Sequence, residues 1–176
     1  MSLESSMAKS KRKATRKVKV DPIPKGYHTV TPGLAVRDAA QAIDFYKRAF
    51  GAKEKMRMPG PDGRTIMHSE IQIGDSHIMV GEEMPQMGHP SPQSMNGTPV
   101  SLYVYVRDAD KVFDQAVKAG ATVTMPLNDA FWGDRYGQLK DPFGHSWGVA
   151  TRKHNLSGKA MKAAAEEFFA KQPMPQ

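Results

Sequence analysis

Two short stretches set side chains capable of chemistry at strand spacing. The first is His68-Ser69-Glu70-Ile71-Gln72. In an extended strand, residues two apart share a face, so His68, Glu70 and Gln72 project together while Met67, Ile71 and Ile73 turn the other way, toward the helices. An imidazole beside a carboxylate is a proton-transfer pair or half of a metal site. The same groups also suit polar contacts in a ligand cleft, or a solvated strand face, and the residues alone leave these readings open. The second stretch is Phe131 to Thr151, FWGDRYGQLKDPFGHSWGVAT, which carries both tryptophans of the chain. Here Trp132, Asp134, Tyr136 and Gln138 share one face, which we place toward a cleft by analogy with His68 and Glu70. Arg135 then points away, toward a carboxylate on a neighbouring element, and Trp147 joins Val149 in the core. Large rings beside a few ionisable groups are the material of a small-molecule pocket.

The elements that must position these side chains follow from turn and cap residues. Asp141-Pro142-Phe143-Gly144 is a turn between strands Trp132–Lys140 and His145–Thr151, with Pro presetting φ and Gly supplying a positive φ. Upstream, Thr29 to Val36 reads as a strand, although Pro32 has no N–H to give a ladder. Asp38 caps a helix ending at Phe50, with Gly51 as its stop. Strands Ala52–Met58, Thr65–Ile73 and His77–Gly81 follow, joined by the Pro59–Gly63 and Gly74-Asp75 turns. After the Met-, Pro- and Gly-rich connector Glu82–Gly97, the series recurs. Val100–Val106 is a strand, with Ser101, Tyr103 and Tyr105 on its cleft side. Asp108 caps a helix to Ala119, and Ala121–Met125 leads into the aromatic hairpin. Val36-Arg37-Asp38-Ala39 matches Val106-Arg107-Asp108-Ala109, and Gly51-Ala52 matches Gly120-Ala121, so each half is one β-α-β-β-β unit. One such sheet has a helix on one face and leaves the other bare, so the copies are expected to pair around a site. Ser157–Lys171 forms a final helix with Ala160, Ala164 and Phe168 on one stripe and Met161, Ala165 and Phe169 on the next.

Charge and composition narrow the classes. Eight of the 25 Lys and Arg lie in residues 1–25 against two carboxylates, so the net charge of +7 belongs to a tail. Residues 1–24 read as a disordered basic tail, 25–152 as the domain (repeats about 27–82 and 99–152), and 153–176 as a C-terminal helix and tail. No apolar run approaches the ~18 residues of a membrane helix, and no apolar stretch follows the basic N-terminus as in a secretory signal. The absence of cysteine removes thiolate ligands and nucleophiles and fits a reducing, cytoplasmic setting.

The doubled unit ending in DPFGHSWGVAT resembles the vicinal oxygen chelate superfamily of glyoxalases, bleomycin resistance proteins and extradiol dioxygenases. DFYKRAFGA (Asp44–Ala52), IGDSHIMV (Ile73–Val80) and WGDRYG are similar to its PhnB-like, glyoxalase-like subgroup. The resemblance implies an α+β fold in which two βαβββ repeats form a curved mixed-sheet cleft, with a C-terminal helix added. It also implies a divalent metal held by His and Glu, one pair from the first and last strands of each repeat. Carried onto this chain through the repeat anchors, those positions fall on Thr31, on Ile78 or Met79, on Ser101 and on Gly148. None is an imidazole or a carboxylate, and hydroxyls are poor ligands for the metals concerned.

The expectation is therefore a metal-free, cofactor-free protein that binds a small organic molecule, with His68, Glu70, Gln72, Ser101, Tyr103, Tyr105, Trp132, Asp134 and Tyr136 lining its cleft. Asp134 or Glu70 would orient the ligand. The alternative is a lyase, isomerase or dioxygenase with a relocated metal, in which Glu70 and then His68 are the catalytic candidates. A third reading gives the basic residues 9–19 a weak nucleic-acid contact. The long connector, the open sheet edges and Phe168-Phe169 point to a homodimer, as is common in that superfamily.

Overall fold

The computed structural model describes residues 20–171. The expected contact of residues 9–19 with nucleic acid lies outside them. Its elements run β1 (Gly33–Val36), α1 (Ala39–Phe50), β2 (Lys53–Pro59), β3 (Ile66–Ile73), β4 (Ser76–Glu82), α2 (Pro92–Met95), β5 (Ser101–Tyr105), α3 (Ala109–Ala119), β6 (Thr122–Asp129), β7 (Asp134–Lys140), β8 (Ser146–Arg152) and α4 (Gly158–Lys171). Two four-stranded mixed sheets result, ordered β1-β4-β3-β2 and β5-β8-β7-β6. In each, the first strand lies parallel to the last and the other pairs are antiparallel. This is the α+β, doubled βαβββ architecture with a C-terminal helix.

The repeat holds at the level of register. Gly33 pairs with Met79 and Ala35 with Gly81 in the first sheet. Tyr103 pairs with Gly148 and Tyr105 with Ala150 in the second. Both long helices are capped as their sequences require. Asp38 and Asp108 accept from the backbone N–H three residues on, and Gly51 and Gly120 close the ends in the left-handed conformation.

Three boundaries differ from expectation. The first strand begins at Gly33, not Thr29, because Pro32 contributes only its carbonyl, which accepts from Met79 N at 2.9 Å. Thr31 therefore lies before the strand. Trp132 sits in the turn ahead of β7. β6 runs on to Asp129, with register shifts that accommodate Pro126 on an edge strand.

The halves meet through their helical faces. Ile43, Phe45 and Tyr46 of α1 share a buried core with Ile71 and Val80 of the first sheet and Phe113, Leu139, Trp147 and Val149 of the second half. Asp141 joins them chemically. Its buried carboxylate accepts from Tyr46 Oη at 2.9 Å, Trp147 Nε1 at 2.9 Å and the backbone N–H of Phe143 and His145, both at 2.9 Å. Burial, and then the charge of Asp141, pushes the Tyr46 hydroxyl well above its ordinary pKa. His145 Nε2 lies 3.2 Å from Ala35 O, a second tie across the halves. No strand of one sheet pairs with a strand of the other. The repeats thus join back to back through their helices, and both bare sheet faces stay open.

Candidate functional site

The two open faces carry different chemistry at equivalent positions. On the second sheet, Tyr103 and Tyr136 stack with ring centroids 5.0 Å apart and planes 4° from parallel. Tyr105 lies 5.6 Å from Tyr103, and Trp132 packs edge-on to Tyr136 at 5.4 Å. Phe131 continues the series against Trp132 at 5.0 Å, and Phe168 of α4 reaches Phe131 at 5.0 Å. Asp134 underlies the rings with its side chain fully buried. One carboxylate oxygen accepts from Tyr105 Oη at 2.9 Å and Trp132 Nε1 at 3.2 Å, and the other from Arg152 Nε. One oxygen of Asp134 thus fixes Tyr105 and Trp132, and the other holds Arg152. Gln138 donates to Tyr136 Oη at 2.6 Å. Burial, then hydrogen bonding to the neighbouring Tyr136, raises the pKa of Tyr103.

Gly148 makes this stack feasible. A Cβ there would lie 2.8 Å from the Tyr136 ring and 3.0 Å from the Tyr103 ring. One last-strand metal position implied by the resemblance is thus occupied by two phenol rings over a bare backbone. Tyr103 and Tyr105 remain 46% and 57% exposed, so the aromatic face is open to a ligand. A cavity of about 530 Å³ runs along the edge of β5, walled by Phe50, Ile73, Tyr103 and Tyr105. Ser101 is exposed at the start of this edge. Arg135 turns to the helix side and meets Asp110 of α3 at 2.7 Å.

The first sheet's face is polar and hollow. His68, Glu70 and Gln72 alternate with Ser69 and Ile71, which are fully buried beneath the sheet. His68 Nε2 lies 3.6 Å from Glu70 Oε1. Met67, expected toward the helices, is 39% exposed, at the bulge where Met58 pairs with His68 and Pro59 with Ile66, leaving Met67 without a partner on β2. Three participants escaped sequence reasoning. Tyr27 stacks on His77 at 4.3 Å, and contact with the Glu70 carboxylate pushes its pKa up to about 12. His77 Nδ1 is buried with no hydrogen-bond partner. Arg152 clamps Asp134. The alternation His77, Met79, Gly81 against buried Ile78 and Val80 was the available signal for His77. Nothing local marked Tyr27, which lies ahead of every strand.

At the remaining implied metal positions, Thr31 donates weakly to His28 O at 3.4 Å, and Met79 offers a thioether. Among the described residues, no three His, Asp or Glu side chains gather in a way that could hold a metal ion. No helix among them is long and apolar enough to cross a membrane.

Comparison with known proteins agrees with this geometry. The family model for the Glyoxalase/Bleomycin resistance protein/Dioxygenase superfamily matches residues 27–149. An uncharacterized protein of Mycobacterium bovis is 45% identical over 138 residues, spanning 77% of this chain and 90% of that protein. The crystal structure of TioX from Micromonospora sp. ML1 superposes with a TM-score of 0.56 at 26% identity, covering 74% of this chain and all (100%) of that one. TnmS3, an antibiotic binding protein from Streptomyces sp. CB03234, has the same fold, with a TM-score of 0.54 at 22% identity over 72% of this chain and 96% of its own. The chain belongs to the Glyoxalase/Bleomycin resistance protein/Dioxygenase superfamily.

Proposed function

We propose that the protein binds a planar, aromatic small molecule on the face formed by Tyr103, Tyr105, Trp132 and Tyr136, without the superfamily's four-ligand metal set. The observation that carries this reading is the ring stack over Gly148, which fills a metal-ligand position with an aromatic platform. A rigid platform costs a ligand little ordering entropy, and stacking on it adds to the gain from apolar burial. The adjoining cavity of about 530 Å³ lies within the range of small-molecule sites. TnmS3, described as an antibiotic binding protein, has the same fold, which is in keeping with a small organic ligand. Absence of cysteine supports a cytoplasmic setting.

Two flat faces that differ so much suggest their use together. In this reading the protein is a homodimer, in which the hollow His68–Glu70–Gln72 face of one protomer covers the aromatic face of its partner. Light scattering checks it: a mass near 19.4 kDa would rule the dimer out. Mixing Glu70→Ala chains with Trp132→Ala chains restores ligand binding only if one cleft draws on two protomers.

Trp132 fluorescence tests ligand binding directly. Titration with planar polycyclic aromatic compounds should quench it in the wild-type chain and raise the melting temperature, since a native-state ligand stabilises by RT ln(1 + [L]/Kd). Tyr103→Ala should abolish both responses; an unchanged response would remove the proposal. A second reading is favoured by the 3.6 Å separation of His68 and Glu70: metal-assisted lyase, isomerase or dioxygenase chemistry, with Glu70 moving a proton. Stoichiometric Zn, Ni, Fe or Mn in untagged protein, lost in His68→Ala and Glu70→Ala, would establish it.

A further inference from the structure

The hollow face of the first sheet holds a second cavity, of about 230 Å³, between β1, β3, β4 and the turn that follows β4. Its floor carries almost no side chain: Gly33, Ala35 and Gly81. At the positions of Gly33 and Ala35 the second repeat has Tyr103 and Tyr105, so the space that rings fill in one half is vacated in the other. A Cβ on Gly33 would meet nothing within 4 Å.

The walls of this cavity carry an unusual donor set. The lining includes three methionines, Met67, Met79 and Met84, and two histidines, His68 and His89, beside Glu82, whose carboxylate is taken up by the start of α1. The fold gathers them from separate elements. Met84 and His89 face each other across a tight turn, with Met84 N donating to His89 O at 2.8 Å and His89 N to Met84 O at 3.1 Å. Directly opposed residues of an antiparallel pair project to the same side, so the thioether and the imidazole stand together. Met79 projects from β4 on the bare face, opposite the buried Ile78 and Val80, and His68 does so from β3. Glu70, 3.6 Å from His68 Nε2, is placed as an outer carboxylate that orients an imidazole ligand and leaves Nδ1 for coordination.

Thioethers are soft, neutral donors that no ordinary pH protonates. They bind monovalent copper well and hard divalent ions poorly, and imidazole serves copper too. We propose that this cavity is a Cu(I) site formed by Met79, Met84, His68 and His89, with Met67 at its rim. None of its donors lies on the second sheet, so copper retention is read separately from binding of the aromatic ligand proposed above. Copper enters and leaves as Cu(I), and no change of oxidation state is involved.

Anaerobic titration of the untagged, full-length chain with Cu(I) against the chromogenic chelator bicinchoninate tests the assignment. The wild-type chain should withdraw one equivalent from the chelator. Met84→Leu conserves volume and hydrophobicity, so it should leave the melting temperature unchanged while weakening Cu(I) retention; with His89→Ala added, retention should fall by at least about tenfold, or about 1.4 kcal/mol. Met125→Leu, at an exposed methionine of the second sheet, should retain copper as the wild-type chain does. Failure of the wild-type chain to compete for Cu(I), or full retention by the Met84→Leu/His89→Ala chain, would overturn the proposal. Equal loss in Met125→Leu would do so as well, since it would mean unspecific binding by surface methionines.

Discussion

The two halves share a backbone and diverge in what they place on it. Where the first repeat has Gly33, Ala35 and Met79, the second has Tyr103, Tyr105 and Gly148. The bulk has moved from the last strand to the first, and a glycine opposite makes room for it. The ends of the last strands differ in the same way. Glu82 accepts from Asp38 N at 3.0 Å and Ala39 N at 2.8 Å at the start of α1. At the matching place Thr151 accepts from Ala109 N at 2.8 Å, a neutral cap in place of a charged one. Next to these, Glu83 latches the connector through Arg37, Ser94 and Ser91, whereas Arg152 latches the aromatic face through Asp134. The repeat preserves helix caps and core positions because they determine whether the unit folds. It releases the bare faces because nothing in the unit packs against them.

The largest effect should come from the residue that joins the halves. Asp141→Ala leaves two ring donors and two backbone N–H groups buried without an acceptor, which should cost about 3 kcal/mol or more in urea unfolding. Loss of less than about 1 kcal/mol would mean that the halves do not depend on this cluster.

Equivalent positions on the two last strands should respond unequally. Gly148→Ala drives a methyl group into both tyrosine rings and should cost about 1–3 kcal/mol, with a change in near-ultraviolet dichroism as the stack opens. Met79→Ala removes a half-buried side chain over a hollow floor and should cost about 1 kcal/mol or less. Similar losses at both positions would erase the distinction between a filled and a vacant face.

Acid should act on the two halves in different ranges, on the second half first. Hydrogen bonds from the Ser94 hydroxyl, then Arg37 and Ser91, hold the Glu83 carboxyl at about 2, below its ordinary 4.5. A depressed folded-state value means stability that is present above pH 4.5 and lost as the pH falls toward about 2. Glu83→Gln should therefore flatten the acid limb of urea midpoints across that window. His145 acts in a neighbouring range, since burial holds its pKa below the ordinary 6.5. The folded state then binds fewer protons than the unfolded one, so its contribution is full above pH 6.5 and declines below it. A His145→Gln chain should lack that decline.

The smallest effect should be at α4, none of whose residues is buried. Phe168→Ala removes one ring contact to Phe131 and should cost about 0.5–1 kcal/mol. A larger loss in a concentration-dependent melt would show α4 packing on a second protomer.

Legibility followed how local each cause was. The caps at Asp38 and Asp108 and the stops at Gly51 and Gly120 were readable because a cap needs only its own turn. The faces of β3, β5 and β7 were readable because alternation fixes them. Pro32 marks a weak ladder position, but only pairing with β4 fixes the start of the strand at Gly33. For Asp134, alternation gives the strand face but not the partners. Its acceptors are consumed by Tyr105, Trp132 and Arg152, which lie on three different segments of the chain. The Tyr27–His77 contact joins the segment before β1 to β4, and no spacing encodes it.

By itself, then, the sequence determined the repeated βαβββ units, their caps, the alternation along most of β3, β5 and β7, and which residue types stand at the implied metal positions. These depend on backbone geometry and on interactions a few residues apart. Only the tertiary structure decided that the halves join through α1, α3 and the buried Asp141, leaving both sheet faces open. It also decided that Gly148 exists for two tyrosine rings, and that methionines and histidines from four separate segments line one cavity. Each of these is a meeting of distant residues, set by how the sheets pack on the shared helices, and that packing follows from burial of the whole core rather than from any one segment.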